Sequence, residues 1–280
     1  MKSKASRYLW NGVQYALLSI VTIIIVMPFF WMLTTSLKDR NKIFQFPPQW
    51  IPRPFVWSNY KEVFTAQPDF LLHYWNSLYI AVLVTAGTCI VGALAGFAFA
   101  KLSFPGRNVL FLVLLSGMMI PNEVTIIPNF IWFSKLGIID KHFPLIIPPM
   151  LGAGGIFGVF LLRQFYITIP KDMDEAAEID GCGPWLTFWK IMLPMTTPAF
   201  ATLAIFTFLN SWEDFLDPLI YLNSSKLYTL PISLRMFTDM AGTDWHLLMA
   251  ASVMATLPLL LVFFFAQKRF VEGVSTTGLK

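Results

Sequence analysis

Charge is what this chain has least of. Asp, Glu, Lys and Arg make up 13% of its 280 residues while 56% are hydrophobic; an ordinary soluble domain carries about 25% charged residues. That deficit excludes a soluble globular fold and points to a chain solvated by lipid. Cysteine is nearly absent. Cys89 and Cys182 fall on different elements, so they read as packing residues in a reducing compartment, not as a disulfide or a thiolate metal site. The histidines His73, His142 and His246 have no second His, Cys or carboxylate at ligand spacing, and they read as polar residues near the ends of apolar segments. No G-x-x-x-x-G-K-[ST] loop is present to cradle phosphates, and no nucleophile–base pair stands out. The expectation is therefore a chain with no catalytic residues, no metal and no cofactor of its own. Its net charge of +4 flanks apolar runs, where anionic lipid is the partner and nucleic acid is not.

Long apolar runs are what it does have. Residues 8–37, 70–100, 143–162, 191–212 and 245–267 contain no Lys, Arg, Asp or Glu, and a further apolar stretch between Arg107 and Lys135 is interrupted only by Glu123. A spanning helix needs about 20 mainly apolar residues. These runs predict an all-α membrane protein with six transmembrane helices, over about 11–37, 74–100, 108–134, 143–166, 196–222 and 245–267. The first run follows Lys2, Lys4 and Arg7 as a signal peptide would, but its uncharged core is too long and no small-residue cleavage site follows, so it reads as a retained span. An even number of spans puts both termini on one side. Lys and Arg number 11 on that side and 9 on the other, which places the termini in the cytoplasm.

Between the first two spans, Pro47, Pro48, Pro52, Pro54 and Pro68 argue for irregular structure. Gly92-x-x-x-Gly96 in the second span predicts close helix packing. Pro121 and Pro128 are expected to break the third span, with Asn122 and Glu123 at the first break. Three regions result: 1–72, with the N-terminal tail, first span and external loop; a core over 73–270 containing a cytoplasmic loop at 167–195; and a cytoplasmic tail over 271–280, flexible unless bound.

The 167–195 loop is the densest run of charge. Asp172, Asp174, Glu175, Glu178 and Asp180 put five carboxylates in nine residues. Asp172 as N-cap with Glu175 three residues on predicts a short helix at about 173–180, stopped by Gly181. Ala176 and Ala177 leave its backbone bare to an approaching protein. A second helix is expected from Trp185 to near Pro194. From charge alone the loop reads as a solvated connection. Its spacing says more: Glu175-Ala176-Ala177, three residues, Gly181, nine residues, Ile191, one residue, Leu193-Pro194. This resembles the EAA signature of ATP-binding-cassette importer permeases at every fixed position. S-L-K-D-R-N-K-I-F-Q-F-P-P-Q-W-I-P at 36–52, W-S-N-Y-K-E-V-F at 57–64 and N-x-W-x-x-F-L-x-P-L at 210–219 resemble the carbohydrate-uptake, maltose-permease-like branch.

The resemblance implies a type I importer permease fold in a bacterial inner membrane, with a cytoplasmic coupling helix. The residues facing a separate ATPase would be Glu175, Ala176, Ala177, Asp180, Gly181, Ile191, Leu193 and Pro194. It also implies a second permease chain, an ATPase dimer that uses ATP-Mg, and an extracytoplasmic solute-binding protein. Sugars, polyols and glycerol-phosphates are all carried by such permeases. A substrate path could draw on Asn210, Trp212, Glu213 and Asp214, and on Asn122 and Glu123. Ionisable groups at membrane depth usually face a cavity, and a flat indole suits a sugar's C–H face. Equally, the fifth span could end near Leu209 and leave those charges at the interface. An ion-coupled secondary transporter without an ATPase stays open at this point. It would rest on Glu123 and the 213–217 cluster, and it gives no reason for the 170–194 signature.

Overall fold

A computed structural model describes residues 4–239 and 242–277. In chain order the helices are α1 (Lys4–Thr35), α2 (Asn59–Ala66), α3 (Phe70–Lys101), α4 (Arg107–Ser116), α5 (Asn122–Lys135), α6 (Phe143–Leu151), α7 (Ala153–Thr168), α8 (Lys171–Ile179), α9 (Pro184–Thr187), α10 (Leu193–Met195), α11 (Thr197–Glu213), α12 (Leu216–Tyr221), α13 (Leu230–Arg235) and α14 (Trp245–Thr277). A π-helical turn at Phe188–Met192 joins α9 to α10. Among the described residues the only β structure is the antiparallel pairing of β1 (Thr238–Asp239) with β2 (Gly242–Thr243).

Trp10–Thr35, Phe70–Lys101, Phe143–Thr168 and Trp245–Phe265 are long and apolar enough to cross a bilayer. Arg107–Met119 with Asn122–Lys135, bent by 94°, and Pro184–Met195 with Thr197–Glu213, bent by 75°, bring the number to six if each pair is one span. That is the architecture the charge-free runs predict.

Both bends have causes in the backbone. Ile120 precedes a proline and is extended, with φ −87° and ψ 114°, as the proline ring demands of the residue before it. Pro121 then flanks α5 without an N–H to lose. Pro128 was expected to break the span too, yet it lies inside α5 and the helix continues through it; a helix packed in a membrane bundle can satisfy the freed carbonyl by local adjustment. At the second bend, Pro198 has no amide for the Pro194 carbonyl. The Thr197 hydroxyl donates to that carbonyl instead, at 2.6 Å.

The chain divides into two compact units, one of residues up to Phe70 with Leu234–Leu257, the other of Leu71–Ser233 with residues from Pro258 on. In the first, the loop after α1 is irregular, as its prolines predict, and partly packed. Asn59, at the start of α2, donates to the carbonyls of Ser36 and Lys38 at 2.8 and 2.9 Å, and Arg40 pairs with Asp244 at 2.9 Å. Prolines forbid a long helix there, and the single Asn59 amide bonds two of the carbonyls that follow α1. In the second unit, one core joins Ala93 and Phe97 of α3, Leu162 and Tyr166 of α7, Phe188 and Met192 of the π-turn, and Ala199 and Leu203 of α11. Another joins Ile80 and Val84 of α3 with Ile126 and Phe133 of α5, Leu145 of α6, and Tyr221. The Gly92 expectation holds at atomic distance: a Cβ there would lie 2.9 Å from the carbonyl carbon of Gly158, so α3 and α7 meet backbone to backbone.

The tail beyond Phe270 was expected to be flexible unless bound. α14 runs on to Thr277, and Gly278 lies outside the described residues.

Candidate functional site

The signature loop folds into two helical pieces with different jobs. α8 starts at Lys171, with Pro170 as the flanking residue in an extended conformation and no side-chain cap. Asp172 is therefore not the N-cap expected of it. It stands with Asp174 in the first turn, where carboxylates complement the helix dipole. Proline preempts the capping position because its fixed φ suits a helix entry and it has no amide to satisfy. The other end closes as the sequence predicts. Gly181 takes φ +76°, its amide donates to Glu178 at 3.0 Å, and the Cys182 amide reaches back to Ala177 at 2.8 Å. That pair of bonds is a Schellman stop, and it lets the chain reverse within two residues of the helix end.

The two alanines of α8 face opposite ways. Ala176 is exposed, but Ala177 is buried, so it packs against its own chain and is not bare to a partner. The outward face consists of Glu175, Ala176, Glu178 and Ile179, with Asp180 and Gly181 exposed at the corner. Ile179 is 86% exposed, an apolar side chain standing free amid carboxylates. Below it, α9 and the π-turn drive Phe188 and Met192 into the core shared by α3, α7 and α11. Ile191 and Leu193 are half-buried, Leu193 against that same core, and Pro194 is exposed at the bend into α11. The signature thus joins an exposed acidic helix to a buried anchor.

Lys101 also belongs to this site, although in the sequence it is only a basic residue in a short turn. Its ammonium sits 2.6 Å from the Asp174 carboxylate and donates to the Ile169 carbonyl at 3.1 Å. The partners lie 73 and 68 positions away, a separation that no local pattern reveals.

The second candidate cluster forms at the opposite end of α11. α11 runs to Glu213, four residues beyond the earliest end that the sequence allows, then breaks, and α12 starts at Leu216. Asn122 and Glu123 are exposed where α5 begins, and Asn210 and Glu213 are exposed on α11. The Asn122 amide lies 3.4 Å from the Asp217 carboxylate, so the two breaks come together; Asp214 is half-buried beside them and accepts the Asp217 amide at 3.3 Å. Trp212 departs from its expected place. It is buried, stacked on Phe208 and edge-on to Tyr74, so its ring supports this cluster from behind.

Polar residues at the start of α3 organise the loop after α12. His73 bonds the Ser225 carbonyl at 2.8 Å, Asn76 donates to the carbonyls of Lys226 and Tyr228 at 2.9 Å each, and the Ser77 hydroxyl accepts the Leu230 amide at 2.8 Å. The i, i+3, i+4 spacing of these three was the available signal.

Residues 89–276, which hold the whole signature loop, match the family described as binding-protein-dependent transport system inner membrane component. The chain belongs to that family. Among its relatives, the arabinooligosaccharides transport system permease protein AraQ of Halalkalibacterium halodurans is 34% identical over 229 residues, which is 82% of this chain and 81% of the relative. The sn-glycerol-3-phosphate transport system permease protein UgpE of Yersinia enterocolitica is 30% identical over 267 residues, 93% of this chain and 94% of its own. A bacterial ABC transporter involved in the import of the acidic polysaccharide alginate has a chain of the same fold, with a TM-score of 0.82 at 21% identity, covering 96% of this chain and 99% of that one. This inner-membrane component therefore carries its signature on the exposed loop between α7 and α11, and the permease fold is the type I importer fold.

Proposed function

We propose that the chain is one of two permease subunits of an ATP-driven importer for a sugar or sugar-like solute, polyols and glycerol-phosphates included. The observation that carries this is the construction of α8: an exposed acidic helix with a free Ile179, reversed at Gly181 and joined to a core anchor at Phe188 and Met192. In this reading α8 inserts into a cleft of a cytoplasmic ATPase, one of two copies, and that ATPase binds ATP-Mg. Both termini are cytoplasmic. A solute-binding protein delivers the solute on the outer face, as the family's description and the transport-system names of its relatives support. Approach of the two ATPases draws the coupling helices together and turns the permease pair outward; hydrolysis resets it. Asn122, Asn210, Glu213 and Asp214 offer hydrogen-bond partners to hydroxyl groups on the path. A carrier driven by an ion gradient would have no use for the signature loop.

The test is copurification of the ATPase subunit with the wild-type complex and with Glu175→Lys. Charge reversal on the outward face should weaken association about tenfold or more, and more at low salt than at high salt, because screening softens repulsion. Unchanged retention at both salt concentrations would reduce the loop to a solvated connection.

A further inference from the structure

The end of α3 beside α8 is fixed from three directions. Arg107 donates to the Leu102 carbonyl at 2.9 Å, and Arg163 of α7 donates to the Phe99 carbonyl at 3.2 Å while lying 4.1 Å over the Phe111 ring. The third tie is Lys101, whose side chain is only 11% exposed and holds both the Ile169 carbonyl, where α7 ends, and Asp174 in the first turn of α8. A solvent-exposed ion pair would contribute little. This one differs because its ammonium is mostly withdrawn from water and makes two directed bonds, so separating α8 from α3 would strand it. A push on α8 passes along the chain in both directions, through Ile169–Pro170 into α7 and through α9 and α10 into α11, and the packing of Phe188 on Phe97 touches α3 below the loop. The Asp174–Lys101 tie adds a polar link from the first turn of α8 itself to the end of α3.

We propose that Lys101 is a positioning residue that clamps α8 to the second span through Asp174, so that movement of the coupling helix shifts α3 together with α7 and α11, to which α8 is joined by the chain. This rests on the reading of 170–194 as the ATPase-docking loop, and the experiment separates the two. In assembled complexes carrying Cys89→Ser and Cys182→Ser, a reporter cysteine is placed either at the start of α3, by Leu71→Cys, or at the start of α12, by Leu216→Cys. Labelling by a membrane-impermeant maleimide is timed with and without the non-hydrolysable ATP analogue AMP-PNP and Mg2+.

In the parent both sites should change labelling rate when nucleotide binds. Lys101→Met and Asp174→Asn should each cut the response at position 71 by about tenfold or more, the scale of one lost charge-assisted hydrogen bond, and leave the response at 216. Lys101→Arg and the exchanged pair Lys101→Asp with Asp174→Lys should restore it. A response at 71 that survives Lys101→Met, or is absent from the parent while 216 responds, overturns the clamp but leaves the docking reading standing. So does a loss that the exchanged pair does not restore, which would make Lys101 merely structural. No response at either position in the parent removes the docking reading itself.

Discussion

Asp140 is a residue whose backbone and side chain are set by the same job. It sits between α5 and α6 at φ +57°, a left-handed conformation that Asp tolerates better than most side chains. From there its carboxylate accepts the amides of Asn223 and Ser224 at 2.9 and 2.8 Å, and also the Ser224 hydroxyl. Those bonds, chiefly from Ser224, hold its pKa below the ordinary carboxylate value. The sign follows directly. A carboxyl whose folded pKa is depressed gives stability that is present above its unfolded value, about 3.9, and is lost as the pH falls through the folded value. The 223–224 turn should therefore stay pinned at pH 7 and loosen only below about pH 4. Asp140→Asn keeps the backbone conformation but removes the charge, so the turn should be looser at pH 7 and no longer respond to acid. A spin label at Lys226→Cys, in a background without the two native cysteines, reads this as mobility against pH. Identical titrations in the two proteins would show that the carboxylate does not pin the turn.

Among the elements, the two broken spans are the informative ones. The break at Ile120–Pro121 and the break after Glu213 both leave polar residues where helices begin or end, and the contact between Asn122 and Asp217 sets them side by side. Irregular backbone at membrane depth is tolerated where it lines a cavity or is buried in protein. We therefore expect Asn122→Ala and Glu213→Ala each to lower uptake about three- to tenfold, the scale of one hydrogen bond to a solute hydroxyl, with ATPase copurification unchanged. The measurement is uptake, into vesicles, of the solute retained by the partner binding protein. Normal uptake in both variants would leave these residues as interfacial anchors.

The elements also show what a sequence can and cannot carry. Spans were legible because lipid excludes charge over about 20 residues at a time, a local rule. Gly181 and the α3–α7 contact were legible because glycine takes a positive φ at the least cost and has no Cβ to block a backbone-to-backbone approach. Ala177, Trp212 and Lys101 were not, because which way a side chain faces depends on partners far along the chain. Pro128 misled for the same reason: its cost in α5 is met by packing that a local rule does not contain.

For the whole molecule, direction matters more than any single contact. The proposed cycle needs α8 on the side where ATP is made available and the proline-rich loop after α1 on the side where solute arrives. Nothing in helix packing distinguishes those sides, because a bundle inverted through the bilayer would keep every internal bond. The distinguishing physics lies in insertion, where Lys and Arg are retained on the cytoplasmic side. Here the margin is 11 against 9, and several of the 11 lie within a few residues of span ends: Arg7, Lys101, Arg107, Lys268 and Arg269. The six-span arrangement with its two bends fixes the rest, since placing any one loop places them all. A reporter fused after Lys190 should give a cytoplasmic signal and one placed near Gln49 an external signal. Replacing Lys101 and Arg107 together with neutral residues should blur that assignment more than replacing Lys135 and Lys141, which the model of insertion puts on the outer side. Swapped signals from the two fusions would remove α8 from reach of any cytoplasmic ATPase, and the docking role and the Lys101 clamp would fall with it.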